Sequence, residues 1–143
     1  MRTYHVDEAS FELPNLEVAD RTVNVLELGG GAVPGLGLLV ARSPFPVGKS
    51  LREVVGAHVE QERKSLRAWA LLFERDIEID GQPSIELGTR WRGDSGMVYQ
   101  RQAHIGLQDT VLLLVGNAPL EERATCDAYM DHVLWTLRLR AQG

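Results

Sequence analysis

The sequence predicts an α+β fold: an antiparallel β-sheet of meander type with two helices packed on it. Three observations point there. The elements run in the order strands, helix, strands, helix. The links between strands are short, which suits antiparallel hairpins, whereas a parallel crossover needs a dozen residues or more. Each of the two helical segments carries one apolar stripe, so each needs a sheet surface to cover.

Residues 3–6 and 10–13 are short extended pieces, the second closed by Pro14. Residues 22–28 (TVNVLEL) make a stronger strand, in which Val23 and Val25 share one face and Asn24, Leu26 and Leu28 the other. Both faces are largely apolar, so both require cover. Gly29, Gly30 and Gly31 then break the chain, and residues 36–42 supply a hairpin partner. Beyond a loop holding Pro44 and Pro46, Ser50-Leu51-Arg52-Glu53 fits the capping box, in which serine and glutamate each satisfy a free backbone N–H at the start of a helix. Leu51, Val55, Val59, Leu66 and Trp69 fall near helical spacing as its apolar stripe, with His58 and Glu62 one turn apart beside it.

A meander follows. Residues 72–79 end at Asp80-Gly81, a tight-turn pair. Residues 84–92 alternate apolar with charged side chains, Gly93-Asp94-Ser95-Gly96 forms a turn, and residues 97–107 and 110–115 make a hairpin around Gln108-Asp109. The last element is a helix over 119–139, with Pro119 in its first turn and Cys126, Met130, Val133, Leu134 and Leu137 on its buried side.

At 143 residues the chain is one domain, and 44% apolar against 24% charged residues is a globular balance. The formal net charge of −5 and the lack of any basic block argue against a nucleic-acid or anionic-membrane partner. Cys126 is the single cysteine, which excludes an intramolecular disulfide and a multi-cysteine metal site. The first residues lack the pattern of a secretory signal, and the apolar run at 111–115 is far too short to cross a bilayer. A cytoplasmic location is therefore expected.

The chemistry-bearing residues do not assemble into a catalytic pattern. His5, His58, His104 and His132 show no HxH or HExxH spacing. Ser95 lacks the GxSxG setting of a nucleophile turn, and Gly35-Leu36-Gly37 is not followed by the third glycine and helix start of a phosphate loop. Glu74, Asp76, Glu78 and Asp80 alternate along one strand and read as a solvated face. The expectation is a binding protein with no enzymatic activity, no cofactor and no metal. What remains is an apolar surplus. Val23, Val25 and Leu39 can share a sheet face, and a large open apolar face is a binding surface, unless the sheet curls to bury both of its sides.

Several segments, in this order, carry a family resemblance. They are the opening with Tyr4, Val6, Glu8, Ala9, Phe11, Leu13 and Pro14, the Val23-Asn24-Val25 strand, and the strand with Leu39, Val40 and Arg42. The helix after Ser50, the hairpin with Asp76, Ile77, Ile79 and Gly81, and the strand with Arg101, Gln102 and Ile105 follow. Over nearly its whole length the chain resembles the effector-associated (Eag-type) chaperones of type VI secretion, a DcrB-like group similar in fold to PsbP. The resemblance implies a homodimeric chaperone that shields the hydrophobic N-terminal transmembrane segments of a secreted toxin effector before export. It implies that Val23, Val25 and Leu39 line an apolar cradle, that Val98 adds to it, and that Gln102 offers its amide to the client. His58 and Glu62 match client-facing positions, where they replace the amide and small residues of the family. The alternative is a PsbP-like protein-binding or structural module without a membrane-segment client.

Overall fold

The computed structural model describes residues 35–139 in full, together with the backbone of four short strands ahead of them. Those four are β1 (Arg2–His5), β2 (Ala9–Leu13), β3 (Val18–Thr22) and β4 (Val25–Leu28). After them come β5 (Gly37–Pro44), α1 (Leu51–Ser65), β6 (Ala70–Ile79), β7 (Gln82–Gly93), β8 (Gly96–Gly106) and β9 (Thr110–Pro119). A single 3₁₀ turn, Leu120–Glu122, leads into α2 (Arg123–Thr136), and β10 (Arg138–Leu139) follows.

The fold is α+β and antiparallel, as expected. Strands β6 to β9 form the meander, and β5 joins its far side, so that the main sheet runs β3-β4-β5-β9-β8-β7-β6. Asp80 and Gly81 make the β6–β7 turn with positive φ at both residues, the conformation that an Asp-Gly pair favours. A second sheet, β1-β2-β10, was not anticipated.

Helix α1 begins as the sequence indicates. Ser50 Oγ accepts from the Glu53 N–H at 3.1 Å, and Glu53 Oε1 accepts from the Ser50 N–H at 3.2 Å. It stops earlier than the apolar spacing suggests. Leu66 turns extended and Ala68 takes a positive φ, so Trp69 lies beyond the helix and reaches back to it. The last helix is also shorter than expected at both ends. Pro119 stays extended at the end of β9, and Leu137 leaves the helix so that Arg138 and Leu139 can pair with Ser10 and Ala9. Backbone groups freed at a helix end need partners, and a sheet edge supplies them.

The two helices lie on opposite faces of the sheet. Cys126, Met130, Val133 and Leu137 of α2 pack in the main core with Leu38, Val40, Tyr99, Ala103, Ile105, Leu112 and Leu114. On the other face, Leu51, Val55 and Val59 of α1 pack on Ile85 and Leu87 of β7. Strand periodicity enforces the division, because successive side chains point to opposite sides.

Candidate functional site

The strand register assembles a row of residues across the α1 face. Leu87 of β7 stands opposite Gln102 of β8, Gln102 opposite Val115 of β9, Val115 opposite Leu39 of β5, and Leu39 opposite Val25 of β4. The next row holds Ile85, His104, Leu113 and Ala41. Strands are spaced about 4.8 Å apart, so Leu39 lies roughly 10 Å from Gln102 across the sheet. Helix α1 covers the β7 and β8 end of these rows. Toward β5 the side chains of Leu39, Ala41 and Leu113 are only half-buried.

Under α1 the row is polar. Gln102 is 1% exposed. Its Oε1 accepts from His58 Nε2 at 3.0 Å and from His104 Nε2 at 2.9 Å, while its Nε2 donates to Glu62 Oε2 at 2.9 Å and to Gln100 Oε1 at 3.1 Å. The amide orientation follows from its neighbours: a carboxylate only accepts, so the Gln102 nitrogen faces Glu62, and the oxygen faces both imidazoles. Glu62 also accepts from the Trp69 indole at 3.2 Å and from His58 Nε2 at 2.9 Å. Gln100 in turn donates to Asn117. The rings of His58 and His104 meet edge to face with centroids 5.0 Å apart.

The environment sets the charges. The hydrogen bond to Glu62 raises the pKa of His58, against the pull of burial. Burial pushes the Glu62 carboxyl up, but hydrogen bonds from His58 and Gln102 outweigh it and hold the group below its ordinary value. His104 is driven down to about 4, by burial first and then by the neighbouring His58. The cluster thus holds a charge-stabilising His58–Glu62 pair beside a neutral imidazole. Among the described residues no group of His, Cys, Asp or Glu has the arrangement of a metal site.

Of the residues named from the sequence, Val25 and Leu39 are register neighbours, and His58, Glu62 and Gln102 meet in one network. Val98 is half-buried on the same face but opposite Pro119, further along β9 and away from Leu39. Val23 lies outside the described residues, and of Val25 the backbone alone is described. The implied role of Gln102 meets a physical obstacle: both its N–H donors are used within the protein, and its oxygen accepts from His104 and shares the single His58 Nε2–H with Glu62, so in this structure it has no free donor to offer. The sequence reading missed His104, Gln100, Trp69, Leu113 and Ala41. A signal was present: Gln100, Gln102 and His104 alternate along β8, and a polar face in a central strand demands polar partners above it.

A second buried polar chain crosses the α2 face. Glu86, 1% exposed, accepts from Arg75 Nε and from Arg101 Nε, both at 2.7 Å. Arg101 also pairs with Asp131 at 2.6 Å. Next to it, between the end of α2 and the β6 edge, runs an open groove of about 550 Å³.

The DcrB family matches residues 8–136. Solved structures share the fold across nearly the whole chain. A protein of unknown function from Pseudomonas aeruginosa is 20% identical, with 99% of each chain covered and a TM-score of 0.75. The cyanobacterial PsbP of Synechocystis is 17% identical, with a TM-score of 0.68 over 97% of this chain and 92% of that one. The Ran-binding protein Mog1p of Saccharomyces cerevisiae is 17% identical, with a TM-score of 0.65 over 97% of this chain and 96% of that one. No curated protein matches the sequence.

Proposed function

The chain belongs to the DcrB family, and from that premise we infer that it is a non-catalytic binding protein whose α1-side sheet face receives an apolar segment of another protein. The observation that carries this reading is the incomplete cover of that face. Leu39, Ala41 and Leu113 stay half-buried next to α1. Burying an aliphatic side chain contributes roughly 1.5–3 kcal/mol, and it does so without demanding a particular sequence.

Joined with the resemblance to Eag-type chaperones, the client is a hydrophobic N-terminal transmembrane segment of a type VI secretion effector, held in the cytoplasm by a homodimer before export. The apolar strip meets the lipid-facing side chains. Polar groups inside such a segment need partners, because an unmet one is costly in an apolar setting. The His58–Glu62–Gln102 network adjoins the strip and is the nearest source of such partners, once α1 shifts enough to free a donor or acceptor.

The test is co-expression with an effector's hydrophobic segment fused to a soluble reporter. The wild-type chain keeps the reporter soluble. Leu39→Glu with Leu113→Glu lowers its soluble yield at least tenfold while the chain's own thermal midpoint stays within a few degrees. An unchanged yield would show the strip to be irrelevant. A second reading, a PsbP-like protein-binding module without a membrane-segment client, is favoured by the engaged N–H donors of Gln102. It expects no solubilisation of such segments by the wild-type chain at all.

A further inference from the structure

We propose that the β6 edge and the groove under Trp135 form a second docking surface, on which an extended segment of alternating basic and apolar residues adds as a strand. Three observations meet at this place. Among the described residues β6 is an edge of the main sheet, so one side of its backbone has no neighbouring strand. An unpaired edge is a template for strand addition. Along it two rows alternate. Arg75, Ile77 and Ile79 line the groove toward α2, whose lining Glu78 also joins, while Glu74 and Asp76 stand opposite Leu87 and Ile85 and so belong to the other face. Trp135, on the last turn of α2, is 83% exposed and forms the far wall of the groove with Leu134.

The occupant follows from these two rows. An added strand places its own side chains alternately on the two faces. Those on the groove side meet Ile77 and the Trp135 indole and are apolar. Those on the other side meet Glu74 and Asp76 and are basic. Arg52 pairs with Asp76 at 2.7 Å and lies 3.7 Å from Glu74, so one guanidinium serves two carboxylates and the row keeps surplus negative charge. A second copy of this chain is disfavoured at the same edge. Joined about a two-fold axis, it would set the acidic row against itself, and like charges directly opposite are destabilising. Acidic residues on an edge strand also serve simply to repel other strands, but that role leaves the exposed tryptophan over an open groove unexplained.

This surface lies at the opposite edge from β4 and β5 and does not rest on the proposed client. The test uses the full chain and two synthetic peptides, Ac-KVKVKVK-NH2 and Ac-EVEVEVE-NH2. The basic peptide is expected to bind at least tenfold more tightly, to perturb Trp135 fluorescence and to slow amide exchange across residues 70–79, leaving residues 37–44 unaffected. Trp135→Ala weakens it at least tenfold without changing the thermal midpoint. The pair Glu74→Lys and Asp76→Lys reverses the preference toward the acidic peptide. Equal affinity for both peptides, protection outside β6, or indifference to Trp135→Ala would each overturn the proposal. So would a dimer of the wild-type chain that Trp135→Ala dissociates.

Discussion

At the scale of single residues, the two histidines of the network under α1 make opposite demands on pH. His104 keeps its neutral form in the folded state down to about 4, whereas a free histidine takes its proton near 6.5. The stability it contributes is complete above 6.5 and is lost as pH falls from 6.5 toward 4, by roughly 3 kcal/mol in all. His58, with its raised pKa, contributes in the reverse sense: fully below 6.5, with loss as pH climbs through its folded value. Urea titrations at pH 7.5 and 5 are expected to show the acid loss, and His104→Gln, which keeps a donor toward Gln102, is expected to reduce it. On the other face, Glu86 sits between two guanidiniums. Its replacement by Ala removes the most buried partner of Arg101, which keeps Asp131 and Asp127, and is expected to cost about 1.5–3 kcal/mol, while Glu86→Leu with Arg101→Met costs less. Denaturant midpoints of the three proteins check the ordering.

At the scale of elements, α2 is seated by a missing side chain. A Cβ on Gly116 would come within 2.6 Å of Met130 Cγ and 3.1 Å of Cys126 Sγ. Gly116→Ala therefore pushes the helix off β9, at a cost of about 1–3 kcal/mol, and Met130→Ala in the same chain recovers part of it. A double-mutant cycle by thermal unfolding measures the coupling. The same close approach explains Cys126, whose burial raises its pKa to about 12. It is a buried packing thiol, in contact with Gly116. Gly88 plays a similar part in β7, where the Phe73 ring occupies the space of a side chain and carries the Arg75 guanidinium over it, 4.9 Å from the ring centroid.

At the scale of the molecule, one pairing governs the topology. Strand β5 is hydrogen-bonded along its length to β9, although α1 and three strands separate them in the chain. Such non-local pairing requires a large loop to close before its contacts repay the entropy. Refolding is expected in milliseconds to seconds, and stopped-flow tryptophan fluorescence checks it; microsecond refolding would show that this closure is not limiting. The same pairing brings Leu39 and Val115 into one row with Gln102, so the closure that forms the fold also assembles the candidate site. No helix among the described residues is long and apolar enough to cross a membrane.

Local chemistry made much of this protein legible from its residues alone. The capping box at Ser50, the Asp80-Gly81 turn, the alternation in β7 and the apolar stripe of α2 each depend on neighbours a few positions away. The antiparallel α+β class follows from them. Tertiary structure decided the rest. Only the packing of α1 on β7 and β8, across from α2, joins His58 and Glu62 to Gln102 and His104 and engages the amide that the sequence left free, and only register across strands distant in the chain brings Leu39 into the same row. Those outcomes depend on contacts between residues distant in the chain, and periodicity carries no information about which distant strand a given strand will meet.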